Sequence, residues 1–226
     1  NISNFFGHPL IAWPIESAKR SKKINKVVVS TDSQEIADIA IKYGAEVPFL
    51  RNKKVSHDLA TTEETLKYSL EKAEKFYKEK FNFCVFLTCT DLFRLPNWID
   101  QAISRIENNS DIESVFVGNR THKNFWDKES KSPKRMAGWM KNYSNRQVRK
   151  PIFREDTGLT CVSKASLWRE GRRIGDNISL IEDNRSETSI DIHDEFDLFL
   201  ANKAIEWISE NKPENMPAIP KLNNKS

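Results

Sequence analysis

Short apolar segments alternating with amphipathic helices predict an α/β layer fold with a mostly parallel sheet. Three observations carry this. Val27-Val28-Val29, Phe83-Cys84-Val85-Phe86-Leu87 and Val115-Phe116-Val117 are runs too short for helices and rich in strand-forming residues. Amphipathic stretches separate them, and several of those stretches begin or end on capping residues. In such a sheet ligands bind at the carboxyl ends of strands. The polar residues directly after each strand are therefore candidates for chemistry: Ser30-Thr31-Asp32, Arg51, and residues 88–94.

In chain order, residues 9–23 read as a helix starting near Pro14 and ending on basic residues that suit its C-terminal dipole. Val27 to Val29 form a buried strand. Residues 33–43 form a helix with Ile36, Ala37, Ile39 and Ala40 on one face and Gly44 as its stop. Val47 to Leu50 form another short strand. Thr61 or Thr62, with Glu64, caps a helix running towards Lys80. The continuous apolar run 83–87 suits a strand covered on both faces. Pro96 opens a helix through Ile106, and residues 115–117 follow as a strand. Residues 118–149 are polar and basic, dotted with Trp126, Met136, Trp139, Met140 and Tyr143. That stretch is too long for a simple loop and predicts a flap, an arm or a disordered insertion. Residues 158–162 predict a strand leading into a helix from Lys164. Residues 189–192 predict a strand, and 194–210 a final helix with Phe196, Leu198, Phe199, Ala201, Ile205 and Ile208 on its apolar face. Residues 212–226 read as a loose tail. No internal repeat is present, and residues 1–226 read as a single domain.

The composition narrows the function classes. The 226 residues are 38% hydrophobic and 30% charged, the balance of a soluble globular protein. No apolar run approaches the roughly 20 residues of a membrane span. Asn1-Ile2-Ser3-Asn4 has neither the basic start nor the apolar core of a signal peptide. Lys and Arg total 36 against 32 Asp and Glu, a net charge of +4 with both signs interspersed. That suits a protein handling anions and gives little support to nucleic-acid binding, so neither nucleic acid nor membrane is an expected partner. Cys84, Cys89 and Cys161 form no C-x-x-C pair and read as reduced thiols, consistent with cytoplasmic residence. The four histidines show no zinc-binding spacing.

Two constellations bear on chemistry. Arg51, Arg94, and the cluster Arg146, Arg149, Lys150 and Arg154 follow strands or the polar insertion. Arginines aimed at one cleft hold phosphates and carboxylates through planar bidentate hydrogen bonds, although any one of them taken alone reads as a solvated surface residue. In a strand, Asp191 and His193 point to one side, where they could hold Mg²⁺ beside a phosphate chain. The competing reading of that segment is helix capping by Asp194 and Asp197.

The segments Gly7-His8-Pro9-Leu10-Ile11-Ala12-Trp13, Val27 to Asp32 and Tyr43 to Arg51 resemble the acylneuraminate cytidylyltransferases, the CMP-sialic acid synthetase family. The resemblance continues in order through Phe86 to Arg94, Arg146-Gln147, Phe153-Arg154-Glu155-Asp156-Thr157-Gly158 and Ser189 to Asp197. It covers nearly the whole chain. It implies a Rossmann-like, three-layer nucleotidyltransferase fold, with residues 118–149 as a dimerisation arm in a homodimer. It also implies transfer of CMP from CTP to the anomeric hydroxyl of a 2-keto sugar acid, sialic or another nonulosonic acid, with release of pyrophosphate. Under the resemblance, Asn1, Arg51, Thr61 and Arg94 fall where the family holds the nucleotide. Arg146, Gln147 and Arg154 fall on the substrate side. Asp191 and Arg94 are the expected catalytic residues, with Asp191 and His193 at a Mg²⁺ or Mn²⁺ site. Two other readings remain: a catalytically degenerate nucleotide-binding homologue, and a nucleotide-sugar glycosyltransferase.

Four departures from the family pattern matter. Asn1 stands where the family's basic glycine-rich loop ends, so the resemblance implies that this loop precedes Asn1 in the complete protein. His193 replaces a second metal aspartate, and imidazole is a poorer Mg²⁺ ligand than carboxylate. Thr88-Cys89 replaces Gln-Pro. Asp156-Thr157-Gly158 stands where Asn-Gly is usual, and Gly171-Arg172-Arg173-Ile174 where sialic acid enzymes carry aromatics. The changes cluster on the sugar side, so the donor nucleotide is better defined than the acceptor.

Overall fold

The computed structural model describes residues 1–52, 61–128, 132–145 and 147–223. A short antiparallel pair, β1 (Asn4–Phe5) and β2 (His8–Pro9), leads into α1 (Ala12–Arg20). Pro14 lies in the first turn of α1, where a missing N–H loses no helical bond. In α2 (Gln34–Lys42) the Ser33 hydroxyl accepts from the Ile36 N–H, and Gly44 follows the helix at φ +90°, a conformation that favours glycine. A capping box starts α3 (Thr62–Tyr77): Thr61 Oγ1 accepts from the Glu64 N–H at 3.1 Å, and Glu64 Oε2 accepts from the Thr61 N–H at 3.0 Å.

The remaining elements are β3 (Phe83–Phe86), α4 (Trp98–Asn108), β4 (Ser114–Thr121), β5 (Trp126–Asp127), β6 (Lys134–Arg135), β7 (Ile152–Glu155), β8 (Cys161–Lys164), α5 (Ala165–Arg169), β9 (Ile178–Asp183) and α6 (Glu195–Asn211). Among the described residues, β3, β8, β4, β7 and β9 form a five-stranded sheet. It is mostly antiparallel, which corrects the expectation of a mostly parallel sheet. β8 runs between β3 and β4, antiparallel to both, and β7 is antiparallel to β4. Of its pairings, β4 with β9 is the parallel one. The strand–helix–strand unit β3–α4–β4 exists, and its two strands point the same way. A strand from later in the chain fills the space between them, and the alternation of strands and helices carries no information about that insertion.

Other strands shift as well. Val28 makes an isolated parallel bridge to Glu46, and Asp191 an isolated antiparallel bridge to Asp91, so the expected strands around these residues form no ladder. β9 is a strand that the sequence reading left out, although Ile178-Ser179-Leu180 alternates apolar and polar residues.

The period of two in β3 sorts its side chains between two cores. Phe83, Val85 and Leu87 pack with Ile99, Ala102, Ile103 and Ile106 of α4. Cys84 and Phe86 pack with Leu66 and Leu70 of α3 and Trp168 of α5. A third cluster joins Phe5, Trp13, Leu92, Phe93 and Ile192 to Ala201, Ile205 and Ile208 of α6.

β7 and β8 lie along one edge of β4 as an interrupted strand. Gly118 to Thr121 pair with β7, and Ser114 to Phe116 pair with β8. Val117 alone stands opposite residues 156–160. Its carbonyl accepts from the Asp156 N–H at 3.0 Å, and its N–H donates to the Thr160 carbonyl at 3.1 Å. The intervening residues leave the sheet, so the strand expected at 158–162 begins at Cys161 instead.

Within 118–149, β4 continues to Thr121. A small β5–β6 ribbon follows, with the Arg135 guanidinium 4.3 Å from the Trp126 ring centroid. The tail is not loose over 212–223. Pro217, Ala218 and Pro220 are buried, and the Asn223 N–H donates to the Lys42 carbonyl at 2.8 Å. Residues 224–226 lie outside the described residues.

Glu74 ties α3 to α5. It is 6% exposed and accepts from Arg169 Nη2 at 2.6 Å, from Lys80 and from the Phe81 N–H. Burial by itself raises its pKa, but these donors outweigh burial and hold it at about 2, below the ordinary 4.5. Its contribution to stability is therefore complete above about pH 4.5 and is lost as pH falls towards 2. Glu74→Gln should lower stability by about 1–3 kcal/mol at pH 7. Thermal melts of wild type and variant should converge as pH is lowered through that window.

Candidate active site

Arg94 organises the carboxyl end of β3. It is 1% exposed, yet it carries a charge. Its Nε donates to the Leu159 carbonyl at 2.7 Å, and its Nη2 to the Thr88 and Gly158 carbonyls, both at 2.8 Å. The Thr88 N–H also donates to the Gly158 carbonyl at 3.0 Å. Arg94 thus clamps the loop after β3 to the 156–160 excursion. Burial pushes the guanidinium pKa down to about 10, opposed by the nearby Asp91, and leaves it charged at neutral pH. The three carbonyl dipoles supply the partial negative charge that a buried cation requires.

The two loops meet at Gly158. A Cβ there would stand 1.9 Å from Asp91 Oδ2 and 2.5 Å from Thr88 Oγ1. The absence of a side chain lets the excursion press against Asp91.

Three carboxylates converge at this junction. Asp91 Oδ2 accepts from Thr88 Oγ1 at 2.6 Å. Asp156 Oδ1 accepts from Arg154 Nε at 2.6 Å. Asp191 bridges to Asp91 through the backbone, and its Oδ2 lies 3.0 Å from His193 Nε2. Burial pushes the Asp91 pKa up; the Thr88 hydrogen bond opposes this, and the Asp191 charge adds to it. Burial also raises the Asp156 pKa, against the pull of Arg154. Asp156 Oδ2 and Asp191 Oδ1 are buried oxygens with no hydrogen-bond partner. Such a cluster of negative charge calls for a cation or for protonation.

The site residues expected from sequence divide into two groups. Asp191, His193, Arg94 and Arg154 gather at the junction. Asn1 joins them, its Oδ1 accepting from Cys89 Sγ at 2.7 Å. Arg94 sits there as a buried clamp on three carbonyls and not facing an open cleft. The His193 imidazole is engaged with Asp191 instead of standing as an independent second ligand. Arg51 and Thr61 are engaged with other partners: the Arg51 N–H donates to the Thr31 carbonyl at 2.8 Å and its Nη2 to Asp32 at 3.5 Å, while Thr61 caps α3. Gln147 is exposed in a turn, and Arg146 lies outside the described residues. Asp194 and Asp197 form a capping box on α6, the alternative reading of that segment. Sequence reasoning missed Asp91 and Asp156. Each lay inside a quoted segment, but nothing in the chain's order says that the two meet.

A family model described as cytidylyltransferase matches residues 1–194. The chain belongs to the cytidylyltransferase family. A pseudaminic acid cytidylyltransferase of Campylobacter jejuni is 42% identical over 71 residues, 31% of each chain. A Helicobacter pylori protein, "Pseudaminic acid cytidylyltransferase and UDP-2,4-diacetamido-2,4,6-trideoxy-beta-L-altropyranose hydrolase", is 31% identical over 177 residues, 77% of this chain and 33% of that one. In both relatives the matched part spans about a third of the length. Among solved structures, CMP:2-keto-3-deoxy-manno-octonic acid synthetase complexed with CTP superposes with a TM-score of 0.65 at 10% identity, covering 91% of this chain and 90% of that one. The cytidylyltransferase chain thus has the α/β nucleotidyltransferase fold. No helix among its described residues is long and apolar enough to cross a membrane.

Cytidylyltransferases work on a polyanionic nucleotide, and the donor set here suits a hard cation. Among the described residues no three acidic, histidine or cysteine side chains are grouped so that together they could hold a metal ion. Mg²⁺ does not need such a group, because it keeps several waters and binds through one or two carboxylates plus phosphate oxygens. The unpartnered Asp191 Oδ1 and Asp156 Oδ2 fit that requirement.

Two substitutions test this geometry. Arg94→Lys gives up the planar fork that joins the two loops and should lower stability by about 2–3 kcal/mol in urea unfolding. A purely ligand-contacting arginine would leave the unfolding midpoint unchanged. Gly158→Ala must displace the Asp91 carboxylate, so it should reduce turnover at least about tenfold at a stability cost of only about 1–3 kcal/mol.

Proposed function

We propose that this cytidylyltransferase-family protein transfers CMP from CTP to the anomeric hydroxyl of a nonulosonic acid. The hydroxyl oxygen forms a bond to the α-phosphorus, the bond from that phosphorus to the β-phosphate's bridging oxygen breaks, and pyrophosphate leaves. The observation that carries the reading is the carboxylate cluster of Asp91, Asp156 and Asp191, held by Arg94 at the carboxyl end of β3, in a chain of this family. Similarity to the pseudaminic acid enzymes supports a nonulosonic acid as acceptor.

The residues divide the work of positioning and charge neutralisation. Asp191, in the cluster it forms with Asp91 and Asp156, would hold Mg²⁺, which when bound neutralises charge on the triphosphate. His193 orients the Asp191 carboxylate through its Nε2 contact. Arg154 has a half-exposed side chain next to the cluster and offers its remaining N–H groups to an anionic substrate group. Asn1, Arg51 and Thr61 contribute to nucleotide binding, and Arg146 and Gln147 to the sugar side. Arg94 acts by holding the 88–94 loop and the 156–160 excursion in register. A homodimer assembled through residues 118–149, with cytoplasmic residence, belongs to the same reading.

Pyrophosphate release decides the matter. The full-length protein is incubated with CTP, Mg²⁺ and a panel of pseudaminic, diacetyllegionaminic, N-acetylneuraminic and 2-keto-3-deoxy-manno-octonic acids. Release with at least one acid is expected, lowered at least about 100-fold in Asp191→Ala. Binding of CTP without release from any acid would mark a degenerate nucleotide-binding homologue. Release of nucleoside mono- or diphosphate from a nucleotide-sugar would mark a glycosyltransferase.

A further inference from the structure

We infer that Arg173 receives the carboxylate of the sugar acid and sets acceptor specificity; this rests on the function proposed above. Gly171, at φ +79°, reverses the chain after α5 and presents Arg172, Arg173 and Ile174. With Glu63 these residues line an open hollow of about 300 Å³. The backbone of Arg173 is anchored, its carbonyl accepting from Ser163 Oγ at 2.7 Å. Its guanidinium lies 5.6 Å from the Phe86 ring centroid, at the end of β3.

The tip of that side chain is poorly engaged. Nε stands 3.6 Å from Glu63 Oε1 and Nη2 stands 3.7 Å from Glu155 Oε1, both beyond hydrogen-bond reach. Nε is buried and has no hydrogen-bond partner. Loose pairs with half-exposed carboxylates contribute little, whereas a bidentate carboxylate would satisfy the planar fork. The position also suits a substrate. Glu63 lies two residues after Thr61, and Glu155 directly precedes Asp156 of the acidic cluster. Arg173 therefore reaches towards both the first turn of α3 and the last residue of β7, the strand that leads into the acidic cluster.

The neighbours select the kind of anion. A cation flanked by two glutamates disfavours a multiply charged triphosphate. It tolerates a single carboxylate, whose sugar hydroxyl or amide N–H groups can donate to Glu63 and Glu155. The Phe86 face supplies an apolar wall.

The test is steady-state kinetics of Arg173→Gln with the best acid of the panel, alongside that acid's carboxamide analogue. The variant should raise KM for the acid about tenfold or more. Its KM for CTP, its kcat and its melting midpoint should stay within about twofold or a few degrees of wild type. Replacing carboxylate by carboxamide should penalise wild type strongly and the variant little. Arg173→Lys keeps the charge without the planar fork and should fall between; it carries the test should Arg173→Gln fold poorly. An unchanged KM for the acid, an equal rise in KM for CTP, or equal carboxamide penalties would overturn the inference alone. Wild type silent with every acid would overturn it together with the proposed function.

Discussion

The buried guanidinium of Arg94 is the interaction on which the site depends. A cation removed from water must find compensating charge, and here three main-chain carbonyls from two separate loops provide it. The stretches after β3 and after β7 are irregular, and neither is held by a strand ladder over those residues. Arg94 binds both at once, and Gly158 lets them come into contact. Asp91 and Asp156 are therefore placed by one side chain that itself faces the interior.

That arrangement leaves an electrostatic imbalance at the surface of the clamp. Burial raises the pKa of Asp91 and of Asp156, the Asp191 charge adds to the first and the Asp91 charge to the second, while Thr88 and Arg154 relieve only part of it. Two carboxylate oxygens remain without partners. A folded protein tolerates such a cluster at a cost in stability, and the cost is intelligible where a cation and a phosphate chain complete it.

Local features of the fold were legible because they depend on neighbours in sequence. Thr61 and Asp194 cap helices by bonds that reach only two or three residues ahead. The continuous apolar run of β3 announced burial on both faces, and the structure packs α4 against one and α3 against the other. The family resemblance drew attention to Asp191 and Arg154, which the structure brings to the same junction. Arg94 was legible as a position but not as a role: a sequence shows an arginine after a strand, and only burial distinguishes a clamp from a ligand contact. The tail behaves likewise, since its prolines read as loose until Pro217 and Ala218 are seen against the body of the protein.

By itself the sequence determined the helices, their caps, the two-sided burial of β3 and the family, because each rests on local periodicity or on motifs kept in order. Tertiary structure alone decided that β8 enters between β3 and β4 and makes the sheet mostly antiparallel. It also decided that Asp91, Asp156 and Asp191, far apart in the chain, share one junction. Strand order and the meeting of loops are long-range outcomes of packing and of satisfying buried polar groups. No local pattern in the chain encodes them.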